Sequence, residues 1–343
     1  MSPVSHRMIL QHHELFGQWH VPNLRAYVPH ERGYYVVRTN SVGMRASRNY
    51  ATVPPVGVSR ILLLGDSFTA GEGVDNEERF SDLLERRLEG VEVLNFGLDG
   101  SGTDQHLLIF ETIGSRFGGD LVLYCPLVEN IRRVTVPCWP VLDRTTGATV
   151  CVPKPYFSLE GDRLELHNVP VPRQRLALNE APPEVRKLLG TNGHTHHLTQ
   201  LIRQAVAPLK PAMMRVRHYQ PFPQYASPDH PAWRLTWALL ERLITAAGDR
   251  TVAIAPLPLY YYIERLSPPV YLERYREFAT AHPSVHVINL LPHFQALSPA
   301  ERRRCRYPRD EHYTPFGHQV VASALRIELA RRGLLRHEAV EAV

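Results

Sequence analysis

Ile61-Leu62-Leu63-Leu64 runs without a spacer into Gly65-Asp66-Ser67, and then into Phe68-Thr69-Ala70-Gly71-Glu72-Gly73. Four consecutive aliphatic residues read as a strand buried on both faces, which calls for a sheet covered on each side, the situation of parallel strands with crossover helices. The Gly-Asp-Ser stop predicts a turn at the carboxyl end of that strand, and the small and Glu-rich residues after it open a helix. Ligands bind at this edge of open parallel sheets, so Ser67 is delivered where its hydroxyl meets a cleft and its N–H stays available to an anion. A turn serine is more often a cap than a nucleophile, so the weight falls on whether the chain also supplies a base, an orienting acid and oxyanion donors.

The remainder of the chain supplies the rhythm such a sheet needs. Glu77–Glu89 carries Phe80, Leu83, Leu84 and Leu88 at helical spacing, and Val91-Glu92-Val93-Leu94-Asn95 reads as the next strand. A glycine-rich turn follows, with Thr103 placed to cap a helix reaching about Phe117, and Leu121-Val122-Leu123-Tyr124 forms a third core strand. After Trp233–Ala247 (helix), Thr251–Ala255 (strand), Tyr271–Thr280 (helix) and Val285–Asn289 (strand), Thr314-Pro315 starts a final helix. Strands alternating with helices at this interval imply right-handed βαβ units and a parallel sheet.

Two stretches stand outside the rhythm. Residues 1–58 read as an N-terminal extension lying against the core, with a short hairpin around Tyr34–Asn40 and a linker at Thr52–Gly57. Residues 136–230 hold many prolines, which exclude long regular elements, and read as an inserted lid or substrate-binding subdomain with one helix over Thr195–Val206. The core comprises residues 59–135 and 231–343.

Composition narrows the class. With 39 Lys+Arg against 34 Asp+Glu, net charge +5, the basic residues fall in short clusters such as Arg302-Arg303-Arg304 rather than in one patch with aromatic platforms, so nucleic acid is not an expected partner. Cys125, Cys138, Cys151 and Cys305 have neither metal-site spacing nor disulfide density, and no segment resembles a signal peptide or a membrane span; the expectation is a cytoplasmic protein.

His312 lies near the end of the chain with Asp310 two residues before it, in the loop that precedes the last helix. That loop returns to the same sheet edge as Ser67, where a histidine can act as base and a nearby carboxylate can orient it. Gly65-Asp66-Ser67, the Asn95–Gly100 turn, Asn130 after a core strand and Asp310-x-His312 occur in the order of the four motif blocks of the SGNH hydrolases, also called the GDSL family. The text ILLLGDSFTAGEGV, VLNFGLDGSGTDQ and DEHYTPFGH resembles the bacterial branch, over about residues 59–135 and 231–335.

The resemblance implies a three-layer α/β/α sandwich, flavodoxin-like, with a central parallel sheet and an inserted cap. It implies Ser67 as nucleophile, His312 as base, Asp310 as the orienting acid, and an oxyanion hole from the N–H groups of Ser67 and Gly100 and the Asn130 amide, with Gly97 the second choice for the glycine. The implied activity is that of a serine esterase releasing a small acyl group from a metabolite or glycan through an acyl-Ser67 intermediate, with no cofactor and no metal. The alternatives are an acyltransferase using the same acyl-enzyme and a non-catalytic binding protein on the same scaffold. Three departures from the family pattern stand out: Arg309 occupies the position three before the histidine, which leaves Glu311 as a rival to Asp310; the third block reads Val128-Glu129-Asn130-Ile131; and the insertion has no counterpart in the motifs.

Elsewhere, the His194, His196 and His197 cluster reads as a helix start rather than a metal site, His318 as packed, Cys125 as a buried thiol, and Tyr260-Tyr261-Tyr262 as placed to line a pocket or to pack on the insertion.

Overall fold

The computed structural model describes residues 9–142, 147–188 and 220–335. The expected helix over 195–206 and the His194, His196 and His197 cluster lie outside these residues. The chain begins with two antiparallel hairpins, β1 (Leu10–His13) with β2 (Gly17–His20) and β3 (Arg25–His30) with β4 (Gly33–Arg38). Only the second was legible in the sequence. Then come β5 (Ser59–Gly65), the single turn α1 (Ser67–Ala70), α2 (Phe80–Arg87), β6 (Val91–Asn95), α3 (Thr103–Thr112) and β7 (Leu121–Cys125). Every residue of β5, β6 and β7 is buried, as unbroken aliphatic strands under two helical layers must be.

The proline-rich stretch is less irregular than expected. It forms β8 (Cys138–Leu142), β9 (Thr149–Pro153), β10 (Tyr156–Glu160), β11 (Arg163–His167), β12 (Leu176–Ala177) and the short α4 (Pro183–Leu188). Prolines exclude long elements but tolerate short antiparallel edges: β8, β9 and β12 make one small sheet, and β10 and β11 make a hairpin. The α/β rhythm resumes with α5 (Pro231–Ala247), β13 (Thr251–Ile254), α6 (Tyr260–Ile263), α7 (Tyr271–Ala281), β14 (Val285–Val287), α8 (Leu291–Gln295), α9 (Pro299–Arg304) and α10 (Pro315–Arg331).

The central sheet is parallel, in the order β14-β13-β7-β5-β6. From β5 the chain steps to one side into β6 and then back across to β7, so right-handed crossovers set α2 and α3 on opposite faces. Helix α2 packs with α10 and α3 with α5, completing three layers. The order reverses beside β5, and the cleft at such a switch point opens at the carboxyl ends of the strands, where Ser67 begins.

Boundaries differ from expectation where turns compete with periodicity. The helix expected over 77–89 is split into a 3₁₀ turn, Asn76–Glu78, with an Asp75/Glu78 capping box, and the shorter α2. Helix α3 stops at Thr112, and a second 3₁₀ turn, Gly114–Arg116, takes up the residues before Phe117.

Residues 9–50 pack on the core through Phe16, Trp19 and Met44, and Phe157 of β10 joins the same cluster. The sheet of β8, β9 and β12 is also tied down by a buried ion pair: Lys154 reaches Asp104 in the first turn of α3 and donates to Pro155 O at 2.9 Å. Neither side chain is more than 3% exposed, so removing the cation strands a charge in the interior. Lys154→Met should cost about 3 kcal/mol, read as a lower urea midpoint with unchanged slope, and adding Asp104→Asn should recover part of that loss.

Candidate active site

Asp66 is the N-cap of α1: its side chain accepts the Phe68 N–H at 3.1 Å, so it fixes the helix start that presents Ser67. Burial raises its pKa to about 6, even though Arg133 and the Phe68 N–H favour the carboxylate. Ser67 is the first residue of α1, so its N–H is one of the helix's free donors, and its Oγ faces His312 Nε2 at 2.8 Å. On the other side of the ring, His312 Nδ1 meets Asp310 Oδ1 at 2.5 Å. The two-residue spacing is therefore sufficient: the contact to Nδ1 is made by Asp310, with Glu311 at a φ of 69° between them.

Residues far away in the sequence complete this arrangement. His30, at the end of β3, brings Nε2 within 2.6 Å of Asp310 Oδ2, so the carboxylate lies between two imidazoles. The adjoining Glu31 accepts the Arg309 N–H at 3.1 Å, and Arg32 bonds Glu78 at 2.8 Å. Burial would raise the pKa of Asp310, but the bonds to His30 and His312 outweigh it and hold the carboxyl far below its ordinary range. Glu72 Oε2 lies 3.4 Å from His312 Nε2. Burial would lower the pKa of His312, yet Glu72, then Asp310 and Asp66, raise it to about 9. Sequence reasoning missed His30 and Glu72, because neither has a local signal.

Gly100 adopts a φ of 70° and shares a cavity wall with Ser67 and His312. Gly97 is set aside by its contacts: its N–H is taken by Asn95 Oδ1 at 2.8 Å. The turn is braced by Ser101 Oγ, which donates to Leu98 O at 2.6 Å and meets His106 Nε2 at 2.7 Å, and by Gln18 of β2, which donates to Asp99 O at 2.8 Å.

Asn130 lies behind the wall, 1% exposed, in a 3₁₀ turn over Val128–Arg132. Its amide is satisfied when Nδ2 donates to Asp66 Oδ2 at 3.0 Å and Oδ1 accepts the Leu127 N–H at 3.3 Å. The unusual block around it is supported by Tyr225 Oη, which donates to Val128 O at 3.1 Å, and by Arg133.

The cavity encloses about 470 Å³. Beyond Ser67, Glu72, Gly100, Asp310 and His312, its wall includes Glu129, Arg132 and Arg133, while Trp139, Phe222 and Tyr261 add aromatic faces, and Arg173 and Arg175 stand exposed on it. Tyr262, by contrast, is buried. His318 is buried in α10, accepts the Phe80 N–H at 3.2 Å and has its pKa lowered to about 3, chiefly by burial. Cys125 is likewise buried, which pushes its thiol far up. Glu72, Asp310 and His312 also offer donor atoms within 4.8 Å of one another, but both nitrogens of His312 are already engaged by Asp310 and Ser67, so the group reads as an acid–base set.

No family model and no curated protein matches the chain. Among solved structures it is similar to a member of the lipolytic G-D-S-L family from Veillonella parvula, at 13% identity over 80% of this chain and 100% of that one, with a TM-score of 0.41. It is also similar to a lipase/acylhydrolase from Enterococcus faecalis, at 16% identity, 80% and 97% coverage and a TM-score of 0.41. A third is the psychrotrophic esterase EstA from Pseudoalteromonas sp., at 12% identity, 80% and 99% coverage and a TM-score of 0.39. Likenesses this distant carry no argument about chemistry, which rests on the contacts around Ser67.

If the bond from His30 orients Asp310, His30→Ala should lower turnover of an activated ester by about 10- to 100-fold, the usual worth of a hydrogen bond to a charged group. His30→Gln, which keeps a donor on that side, should retain more activity. Steady-state kinetics on folded variants checks both.

Proposed function

We propose that this protein is a serine esterase of the SGNH hydrolase type that removes a small acyl group from a polar metabolite or glycan. The supporting observation is the unbroken chain Ser67 Oγ, His312 Nε2, His312 Nδ1, Asp310 Oδ1, with contacts of 2.8 and 2.5 Å. Ser67 Oγ attacks the ester carbonyl carbon as His312 Nε2 takes its proton. The tetrahedral oxyanion is met by the N–H groups of Ser67 and Gly100, and by the hydrogen of the Asn130 amide not committed to Asp66. Collapse breaks the bond to the leaving oxygen, which receives the proton from His312 and departs as an alcohol. Water then gives a proton to His312 as it attacks the acyl carbon, and collapse breaks the bond to Ser67 Oγ, which takes that proton back from His312 as the acid leaves.

The cavity supports a polar leaving group: Asp99, Glu129, Arg132, Arg133 and Arg173 share its wall with the aromatic faces of Trp139, Phe222 and Tyr261. The small sheet of β8 and β9 supplies Trp139, Val141 and Val152 to that wall, which supports a substrate-binding role for the 136–230 insertion within the residues described. No helix among the described residues is long and apolar enough to cross a membrane.

A fluorophosphonate probe should label wild-type protein and fail to label Ser67→Ala. Ser67→Ala and His312→Ala should each lose at least ~10³-fold in turnover of p-nitrophenyl acetate, and the double variant should be little worse than either. A folded wild-type protein that neither labels nor turns over would overturn the enzyme reading. Chromatography of products formed with glycerol present separates hydrolysis from transfer, since transfer would give glycerol esters. Because His312 stays protonated to about pH 9, kcat/KM should rise with pH and level off above that value.

A further inference from the structure

Glu72 does not continue the helix that Ser67 begins. Helix α1 ends after one turn because Gly71 takes the left-handed conformation, φ 86°, and Gly73 repeats it at φ 85°. Neither glycine admits a side chain: a Cβ at Gly71 would stand 2.4 Å from Arg79 Cγ, and one at Gly73 would stand 2.9 Å from Tyr307 and 3.0 Å from His30. The residue between them is pinned by its own N–H, which bonds Ser67 O at 2.9 Å. Arg45, buried beneath the loop, donates to Ala70 O at 2.8 Å, to Gly71 O at 2.5 Å and to Val74 O. A backbone fixed this tightly over the nucleophile delivers one carboxylate into the cavity wall, with Oε2 3.4 Å from His312 Nε2.

That nitrogen is the one that faces Ser67 Oγ. Asp310 holds the opposite side of the ring, so the imidazolium formed during acyl transfer would be met by a carboxylate at each nitrogen. We propose that Glu72 is a positioning residue for His312: it stabilises the protonated ring at Nε2 in the resting site, so that this proton must pass to solvent before Nε2 can take the proton of Ser67, and it thereby sets the pH at which the site becomes active. The inference rests on the reading of His312 as the base of Ser67. The charged and titratable groups that act on the ring are Asp310 on its own loop, Glu72 after α1, Asp66 at the α1 cap and His318 on α10, with His30 reaching it through Asp310 and Glu311 lining the same cavity. Glu72 and Asp310 both favour the protonated ring, and Asp310 is already committed to both histidines.

Glu72→Gln keeps the shape and removes the charge. Its effect is read first by NMR titration of His312 in the full chain, which needs no turnover, and then from the pH dependence of kcat/KM with p-nitrophenyl acetate. An opposite charge at this distance moves a titration by about one unit or more, so the midpoint of His312 should fall by at least that much. The neutral fraction at pH 7 should rise about tenfold or more, and the pH profile of kcat/KM should shift to lower pH with it. A side chain serving only to pack the loop would leave the midpoint where it is, and an unchanged midpoint in folded Glu72→Gln overturns the proposal. A midpoint that falls in a protein without esterase activity supports the Glu72 contact and refutes the esterase reading instead. Should Glu72→Gln not fold, Glu72→Asp retains the charge at longer range, and its midpoint should fall by a smaller amount; no fall there overturns the proposal equally.

Discussion

A single guanidinium at the switch point of the sheet holds the candidate site together. Arg133 donates to Ser101 O at 2.8 Å in the loop after β6, lies 3.4 Å from Asp66 in the loop after β5, and lies 3.5 Å from Glu129 in its own loop after β7. Its face rests 4.8 Å from the Trp139 ring of β8. Three loops that carry proposed reacting groups, together with the small sheet beside them, therefore share one cation. The planar fork suits that task, since it spreads several donors over different acceptors while remaining charged in a buried place. It also keeps a carboxylate at Asp66 tolerable, although burial presses that group toward its neutral form.

Arg133 also accounts for an oddity of the third motif block. Val128-Glu129-Asn130-Ile131 lacks a carboxylate directly after the asparagine, and the loop is held by other means: Glu129 pairs with Arg133, Tyr225 binds Val128 O, and Val128 N–H bonds Leu257 O at 3.2 Å. Asn130 then gives one amide hydrogen to Asp66. Its amide and the cap of α1 form one buried unit, so a change at Asn130 acts on the presentation of Ser67 as well as on any donor it offers.

What the sequence made legible follows from the range of the interactions involved. Strands β5, β6 and β7 announce themselves because burial on both faces demands unbroken aliphatic text, and α10 because Thr314 caps it, accepting the Gly317 N–H at 3.2 Å, with Pro315 in its first turn. Ser67, Gly100, Asp310 and His312 come together because each sits at the carboxyl end of the sheet, an edge that the βα order alone defines. The strands β8 to β12 were hidden, since short antiparallel edges take their stability from partners rather than from their own pattern. His30 and Glu72 were hidden for the same reason. One arrives from the N-terminal hairpin, and the other through a turn that only two left-handed glycines permit.

The part played by residues 9–50 is therefore more than cover for the core. A carboxylate and an imidazole two residues apart must share one tight turn, and Asp310 and His312 do so with the intervening Glu311 in the left-handed region. The turn is closed by its own backbone, with Tyr307 N–H bonding His312 O at 2.9 Å, and then gripped from outside by the tip of the β3–β4 hairpin. There His30 takes the free oxygen of Asp310 and Glu31 takes the Arg309 N–H. An acid with one oxygen on each of two imidazoles cannot rotate without losing a charge-assisted bond, each worth about 1.5–3 kcal/mol. A hairpin outside the α/β core thus fixes the direction in which His312 points at Ser67, which makes the N-terminal extension part of the same machine as the strand that ends in Gly65-Asp66-Ser67.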